Sequence, residues 1–268
     1  MLLPLDGRSI AYDLLGADTA PTVCITHSLA SDGGSWAEQV PALLQAGFRV
    51  LRIDMRGHGG SDPVAGDYTM SDLAGDVALV LDGLSIPRVH YIGLSIGGML
   101  GQAFALEHQD RLISVMWCDT LPSSPLGAKA AWDERMGIVR RGNSLEPIGD
   151  ATMERWFTDA FKAKSPRRWK QIRDTIVATT PAGYLGCSAA ILGFDFTGRL
   201  SGVRVPALVV CGADDPGTPA AENRKLAGLV PGARYEEIAG MRHFPNVEAP
   251  EAFNRIMLGW LDAQKNRA

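Results

Sequence analysis

One serine between glycines is the residue of this chain best suited to act as a nucleophile. Ser95 lies in the stretch YIGLSIGGML, after the apolar run Val89 to Ile92 and before a segment of helical spacing. A strand-to-helix turn of the form G-x-S-x-G can present a serine hydroxyl to a substrate. The pattern is weak by itself, because a chain with 30 glycines can contain it by chance. Ser95 is therefore either a nucleophile or a turn residue, and the rest of the chain must decide.

A serine hydroxyl is a poor nucleophile at neutral pH, so it needs a base and a third group that orients the base. Two acids, Asp214 and Asp215, directly follow an apolar run in LVVCGADDPGTP, and His243 lies in EEIAGMRHFPNVEAPE. Residues just beyond the carboxyl ends of parallel strands meet at one edge of a sheet. We therefore expect Ser95, an aspartate and His243 to meet, in the chain order Ser, Asp, His of a nucleophile elbow.

The elements that would position these residues alternate along the chain. A short strand, a turn at Asp6-Gly7 and a second strand are predicted at the N-terminus. Further strand-length apolar runs are Thr22 to Thr26, Phe48 to Ile53, Val89 to Ile92, Leu112 to Cys118, Val205 to Cys211 and Ala233 to Ile238. Helical periodicity appears at Trp36 to Gln45, Met70 to Leu84, Ile96 to Glu107, Pro219 to Leu229 and Pro250 to Ala263. This alternation predicts an α/β fold with a mostly parallel sheet flanked by helices.

The alternation breaks once, between about residues 121 and 203, where helical stretches continue without a convincing strand. We predict a core formed by residues 1–120 and 203–268 and a helical cap formed by residues 121–202. Residues 121 to 200 contain 12 Lys/Arg and 8 Asp/Glu, a balance of +4, and the remaining residues contain 14 and 22, a balance of −8. The basic cap is either an ordinary solvated surface or a lid that attracts an anionic substrate.

Composition excludes several other classes of protein. No apolar run is long enough to cross a bilayer, and a net charge of −4 without a Lys/Arg run argues against a nucleic-acid partner. The four cysteines form no C-x-x-C pair, and no two histidines have metal-ligand spacing, so we assign no disulfide framework, metal or cofactor. The N-terminus has no basic segment followed by an apolar core, which leads us to expect a cytoplasmic protein.

Several separate motifs then occur in one order across nearly the whole chain. They are HSLASDGGSW, FRVLRIDMRGHGGSD, GLSIGGMLGQ, RWFTDAF, GADDPGTP and HFPNVE. In these motifs the chain resembles the α/β-hydrolase superfamily and, within it, the 3-oxoadipate enol-lactonase-like group. The resemblance implies the α/β-hydrolase fold with its helical cap inserted after the sixth strand.

The resemblance also implies a role for each residue of the predicted triad. Ser95 would attack the acyl carbon, His243 would accept the serine proton, and an aspartate would orient the histidine. The family pattern G-x-x-D, counted from Gly212, favours Asp215 over Asp214 as that aspartate. Gly93 and Gly97 would leave room for the tight turn around the serine.

Two backbone N–H groups, of Ile96 and Leu29, would bind the oxyanion by the same resemblance. Many relatives read H-G-x-G where this chain reads His27-Ser28-Leu29-Ala30, so Ala30 leaves the local backbone conformation open. Ser28 agrees with the enol-lactonase-like group. The remaining histidines, His27, His58, His90 and His108, are expected to be structural.

The implied substrate is a small lactone with a free carboxylate, which Ser95 would open to a linear oxo-dicarboxylate. Arg135 and Arg140 are candidates for binding the carboxylate, with Trp132 and Trp156 as apolar walls. Each could equally serve in surface salt bridges or core packing. The same machinery would also serve a carboxylesterase, another lactonase or a perhydrolase, and a receptor with little turnover is a further alternative. The expected partner is a small-molecule ester or lactone, and the sequence leaves the oligomeric state open.

Overall fold

The structure is a computed structural model that describes residues 1–124 and 127–265. Eight strands form one sheet, namely β1 (Leu2–Leu5), β2 (Arg8–Leu15), β3 (Thr22–Thr26), β4 (Arg49–Ile53), β5 (Val89–Leu94), β6 (Leu112–Cys118), β7 (Ala207–Gly212) and β8 (Arg234–Ile238). Their spatial order is β1-β2-β4-β3-β5-β6-β7-β8. The pairs β1–β2 and β2–β4 are antiparallel, and all other neighbouring pairs are parallel.

Helices flank this sheet, as predicted. Those described are α1 (Val40–Gln45), α2 (Met70–Gly83), α3 (Ile96–Glu107), α4 (Lys129–Gly142), α5 (Glu146–Trp156), α6 (Asp159–Lys164), α7 (Pro166–Ala178), α8 (Pro181–Gly193), α9 (Ala220–Leu229), α10 (Pro245–Glu248) and α11 (Pro250–Asp262). Every residue of β3, β5, β6 and β7 is buried, which is the pattern of parallel strands covered on both faces. The predicted fold class is confirmed.

Local chemistry explains where the observed elements differ from the predicted ones. The predicted helix Trp36 to Gln45 is divided into a short 3-10 helix, Gly33–Trp36, and α1, which has Pro41 in its first turn. β7 begins at Ala207 rather than Val205, because Pro206 has no N–H for a sheet hydrogen bond and uses its carbonyl to accept from Val115 N–H at 2.9 Å. The helix α10 was not predicted, and it is only four residues long.

Five helices, α4 to α8, lie between β6 and β7, so the cap follows the sixth strand as predicted. The division of the chain at residues 121 and 202 remains a prediction, and residues 125–126 and 266–268 of the predicted ranges lie outside the described part. The cap contacts the core through close backbone packing at Gly57 and also where Tyr68 N–H donates to Gly186 O at 3.2 Å. Gly57 O accepts hydrogen bonds from Thr180 N–H at 3.0 Å and from Thr180 Oγ1 at 2.9 Å, and the backbone of Gly183 lies directly against Gly57.

Polar contacts join the cap to the core elsewhere. Arg168 of α7 forms an ion pair with Glu38, with Nε to Oε1 at 2.7 Å and Nη2 to Oε2 at 2.8 Å. Arg242, the residue before His243, donates from Nη1 to the carbonyl oxygens of Glu154 at 2.5 Å and Phe157 at 3.0 Å, at the C-terminal end of α5. The orientation of α5 is therefore coupled to the loop that carries His243.

No single helix in residues 1–124 and 127–265 has both the length and the apolar composition needed to cross a membrane, and the α7–α8 pair meets that criterion only jointly, across a 90° bend.

The contact between Gly183 and Gly57 can be tested with a matched pair of glycines in α8. A Cβ at Gly183 would lie 2.7 Å from Gly57 Cα and 2.8 Å from Arg56 O, whereas a Cβ at Gly193 would meet nothing within 4 Å. We expect Gly183→Ala to lower the free energy of unfolding by about 1–3 kcal/mol, because backbone must move to admit the methyl group. Gly193→Ala should be neutral or slightly stabilising. Urea unfolding of both variants checks this, and equal effects would contradict the packing argument.

Candidate active site

Ser95 occupies the turn between β5 and α3 in a strained backbone conformation. Its backbone angles φ and ψ are 59° and −118°, a combination that residues with a Cβ rarely adopt. Two hydrogen bonds hold the turn: Ser95 N–H donates to Cys118 O at 2.8 Å, and Thr120 Oγ1 donates to Ser95 O at 2.8 Å. Such strain persists only where the surroundings enforce it, and it is concentrated at functional sites.

Both glycines that flank this serine are required by space, as predicted. A Cβ at Gly93 would collide with the carbonyl group of Gly97, and a Cβ at Gly97 would lie 2.7 Å from Thr26 Oγ1 and 2.8 Å from Thr26 O. The first turn of α3 therefore lies against the end of β3. Close approach of these backbones brings the serine next to the loop that follows β3.

His243 and Asp215 form a buried pair at the same edge of the sheet. His243 Nδ1 lies 2.6 Å from Asp215 Oδ2, and both residues are buried. Asp215 Oδ1 accepts from Gly217 N–H at 2.7 Å, and Thr218 Oγ1 donates to Oδ2. Burial alone would raise the pKa of Asp215, but the charge of His243 and the hydrogen bonds from His243, Thr218 and Gly217 lower it overall. Asp215 is therefore ionised at neutral pH.

The neighbouring acid, Asp214, is exposed and belongs to a turn in which its N–H donates to Met241 O at 2.9 Å. The geometry thus places Asp215, and not Asp214, against His243. With Nδ1 engaged by Asp215, the second ring nitrogen of His243, Nε2, forms no hydrogen bond within the described part of the chain. No hydrogen bond joins it to Ser95 Oγ among these residues either. Such bonds are often loose in unliganded enzymes and tighten with substrate.

The loop after β3 makes its turn without a glycine in the sequence His27-Ser28-Leu29-Ala30. Ala30 adopts a left-handed conformation with φ 59°, and its N–H donates to His58 Nε2 at 3.0 Å. Burial, and then the charge of His27, lowers the pKa of His58 to about 3, so its ring is neutral. His58 Nδ1–H donates to Arg56 O at 2.9 Å, which leaves Nε2 as the acceptor. His58 is thus structural, as predicted, and it supports this turn.

His27 has a similar role, because its Nε2 accepts from Met55 N–H at 2.9 Å and connects the ends of β3 and β4. The two predicted oxyanion donors remain free. Neither Leu29 N–H nor Ile96 N–H donates to an acceptor within residues 1–124 and 127–265. Ile96 is the first residue of α3, where backbone N–H groups have no partner in the helix and carry partial positive charge.

The four cap residues named from the sequence lie in different environments. Trp156, at the end of α5, is buried and stacks on His243, with ring centroids 6.4 Å apart. Trp132 is half-buried, and the guanidinium of Arg135 lies 4.1 Å from its ring centroid. Arg140 is exposed on α4. The structure thus brings Trp156 to His243 and pairs Arg135 with Trp132.

Sequence reasoning missed a further cation in the cap, Arg155 on α5. Burial, and then the charge of Arg135, lowers the pKa of Arg155. Arg155 Nη2 donates to Thr152 Oγ1 at 3.0 Å, and neither Arg135 nor Arg155 forms a salt bridge with a described carboxylate. The hydroxyl-bearing ring of Tyr184 is close enough for both charges to act on it. The charge of Glu154 also acts on Arg155, but two neighbouring arginines that form no salt bridge within the described residues favour the binding of an anion.

A second missed residue is Asp119, which follows β6 and is completely buried. The position was visible in the sequence, because an acid directly after a continuous apolar run lies at the same sheet edge as Asp215. Ligand atoms of Asp119, Asp215 and His243 all lie within 4.8 Å of one another. A metal ion bound by these three residues would have to break the 2.6 Å hydrogen bond between Asp215 and His243. The arrangement therefore fits a group of hydrogen-bonded side chains better than a metal site.

Comparison with known proteins shows the family of the chain and its fold. A family model described as alpha/beta hydrolase fold matches residues 21–250. A 3-oxoadipate enol-lactonase 2 from Acinetobacter baylyi is 31% identical over 93% of this chain and 91% of its own length. The crystal structure of an enol-lactonase from Burkholderia xenovorans LB400 superposes with a TM-score of 0.93, at 36% identity, over 98% of this chain and 100% of that one. A protein from Caulobacter sp. strain K31, named as a proposed carbamate hydrolase, RutD, is 28% identical over 92% of this chain and 93% of its own length.

The contact between Asp215 and His243 predicts that the two adjacent acids respond differently to substitution. Asp215→Asn should lower the turnover of an ester such as p-nitrophenyl acetate by roughly 10⁴, because the histidine loses the acceptor that sets its tautomer. Asp214→Asn, the matched control in the same turn, should leave turnover nearly unchanged. Steady-state kinetics of both variants test this, and a larger loss for Asp214→Asn would assign the acid to that position.

Proposed function

The chain belongs to the alpha/beta hydrolase family, and on this premise we propose that it is a serine hydrolase that opens a small, carboxylate-bearing lactone through an acyl-serine intermediate. The observation that carries the proposal is the strained Ser95 turn at the same sheet edge as the His243–Asp215 pair. The similarity to enol-lactonases across nearly the whole chain supports a lactone as the substrate class.

In the proposed reaction, Ser95 Oγ attacks the lactone carbonyl carbon while His243 Nε2 takes the serine proton. Asp215 accepts from Nδ1–H and stabilises the imidazolium that results. Negative charge moves to the carbonyl oxygen, where the free N–H groups of Leu29 and Ile96 are the donors proposed to bind it; one such donor contributes roughly 3–4 kcal/mol in comparable enzymes.

The tetrahedral intermediate then breaks its ring C–O bond, and His243 returns the proton to the departing oxygen. Because the substrate is cyclic, the leaving group stays attached to the acyl chain on Ser95. Water attacks the acyl-enzyme with His243 again as the base, which releases a linear acid and restores the serine. For an enol lactone the released enol becomes a ketone, so the product is an oxo-dicarboxylate.

The charges of the cap support a substrate with a free carboxylate. Arg135 and Arg155 lie near each other without a salt-bridge partner in the described chain, and burial makes the charge of Arg155 costly unless an anion is bound. Trp156, the next residue after Arg155 in α5, covers His243 and supplies an apolar wall beside the reacting atoms. Of the two arginines named from the sequence, these contacts favour Arg135 over the exposed Arg140.

A second candidate function is hydrolysis of a carbamate, which the similarity to the RutD protein supports. The same serine would attack the carbonyl of a carbamate ester and expel its alcohol, and water would then release carbamic acid from the carbamoyl-serine; carbamic acid breaks down to an amine and carbon dioxide. A panel of lactones, simple esters and carbamates, each with and without a free carboxylate, separates the two functions. The lactonase proposal requires the highest kcat/KM for a lactone bearing a carboxylate; preference for neutral esters would indicate a general carboxylesterase instead.

The nucleophile assignment predicts the outcome of one substitution. Ser95→Ala should lower hydrolysis of every substrate in the panel by a factor on the order of 10⁶ in turnover, and covalent labelling by a fluorophosphonate should disappear. Intact-mass spectrometry detects the label. Retention of either activity or label would mean that another residue is the nucleophile.

The carboxylate assignment predicts a contrast between substrates. Arg135→Ala and Arg155→Ala should each raise KM for a carboxylate-bearing lactone by about one to two orders of magnitude, the effect of losing a charge-assisted hydrogen bond. KM for a neutral ester should barely change. Arg140→Ala, on the exposed face of α4, is the matched control and should alter neither. Equal changes in KM for all three substitutions, or changes in KM for both substrates, would contradict the proposal that Arg135 and Arg155 bind the carboxylate.

A further inference from the structure

Asp119 lies between the turn of Ser95 and the loop of Asp215. The residue before it, Cys118, accepts a hydrogen bond from Ser95 N–H, and Asp119 itself accepts one from Gly212, which precedes the Asp215 loop. Asp119 directly follows β6, which lies between β5 and β7 in the sheet. Its backbone is strained, with φ 43°, and is held by a hydrogen bond from its N–H to Val210 O at 2.9 Å. Its side chain is fully buried, and Oδ1 accepts from Gly212 N–H at 2.8 Å. This carboxyl group therefore has one fixed orientation.

The other oxygen of Asp119, Oδ2, has no hydrogen-bond partner among the described residues when the group is treated as a carboxylate. A buried oxygen without a partner is costly, and a buried negative charge is more so. Nearby lies the Asp215 carboxylate, which already carries a negative charge and accepts hydrogen bonds from His243 and Thr218. If the carboxyl groups of Asp119 and Asp215 were both ionised, their charges would repel each other strongly in this buried site.

The ionisable groups around Asp119 do not relieve this repulsion. Its charge acts on Asp215 from the β7–α9 loop, on Cys118 from its own strand and on Cys211 from β7, while His243 lies across Asp215 from the β8–α10 loop. No described lysine or arginine is among these groups. Burial, and then the charge of Asp215, raises the pKa of Asp119 well above its usual range.

We propose that Asp119 is a positioning residue for the triad: its Oδ2 carries a proton and donates it in a hydrogen bond to the Asp215 carboxylate, which holds Asp215 against His243. This arrangement gives Oδ2 its missing partner, and it removes one of two adjacent charges. The proton stays on Asp119 throughout turnover, so Asp119 does not take part in the chemical steps. The inference rests on the proposed function, since it assumes that Asp215 orients His243 for ester hydrolysis.

Asparagine at position 119 reproduces this arrangement without an ionisable group. Its Oδ1 can accept from Gly212 N–H, and its Nδ2 can donate to Asp215. Asp119→Asn should therefore keep kcat for p-nitrophenyl acetate close to that of the wild type near neutral pH. Asp119→Ala removes the donor and should lower kcat by about 10–100-fold, the usual effect of losing a residue that orients a catalytic group, with KM little changed.

The pH dependence of stability gives a readout that does not involve activity. The pKa of Asp119 in the folded protein is above the value of 3.8 in an unfolded chain, so the folded state holds an extra proton. The wild type must therefore lose stability, relative to Asp119→Asn, as pH rises from about 4 through the raised pKa. Urea unfolding of both proteins at about pH 5 and about pH 8 measures this difference. The free energy of unfolding of Asp119→Asn, relative to that of the wild type, should be higher at about pH 8 than at about pH 5.

Infrared difference spectra of wild type minus Asp119→Asn provide a direct signature. They should contain the C=O stretch of a protonated, buried carboxyl group at neutral pH. Absence of this band would overturn the proposal, as would an Asn variant as inactive as the Ala variant, because a negative charge would then be required at this position. Full activity of Asp119→Ala would also overturn it.

Four variants assayed together distinguish a failure of the role of Asp119 from a failure of the proposed function. If Asp215→Asn retains activity or Ser95→Ala retains the fluorophosphonate label, the triad assignment fails regardless of Asp119. If both of those variants are inactive while Asp119→Asn and Asp119→Ala behave alike, only the role of Asp119 fails. Near-UV circular dichroism of the Ala variant confirms that a loss of kcat does not come from unfolding.

Discussion

The hydrogen bond between the Asp215 carboxylate and His243 Nδ1 is the interaction around which this end of the molecule is built. A carboxylate at this depth is stable only if donors surround it, and Thr218, Gly217 and His243 supply them. The loop after β7 must therefore bend tightly enough for residues 217 and 218 to face residue 215. The loop after β8 must also come close: a Cβ at Gly212 would collide with the carbonyl of Arg242. The conformations of both loops are thus constrained by the buried carboxylate of Asp215.

Strain is concentrated at the same edge. Five described residues other than glycine have positive φ, and three of them, Ala30, Ser95 and Asp119, immediately follow or lie near the carboxyl ends of β3, β5 and β6. Each is held by a specific hydrogen bond: Ala30 by His58, Ser95 by Cys118 and Asp119 by Val210. Backbone that its neighbours hold in such conformations keeps the attached side chains in fixed orientations. The parallel sheet thus provides a rigid support for groups that must be oriented before reaction.

The cap meets this edge through α5. Arg242 binds the carbonyl oxygens at the end of that helix, and Trp156 from the same helix stacks on His243, the residue after Arg242. The loop that carries His243 and the helix that covers this residue are therefore one packed unit. Because Arg155 precedes Trp156, the placement of Arg155 in the cap is coupled to the placement of His243. Recognition and catalysis share one support in the proposed reaction.

The sequence alone determined the alternation of strands and helices, the position of the cap after the sixth strand, and the chain order of serine, acid and base. These features depend on local periodicity and on the rule that parallel strands end at one edge, both of which can be read along the chain. Tertiary structure decided which partners meet across that edge. His58 supports Ala30 from 28 residues away, Arg155 rather than Arg140 lies beside Arg135, and Asp119 lies beside Asp215. Such contacts depend on strand order and loop packing, which bring together residues that no sequence spacing relates.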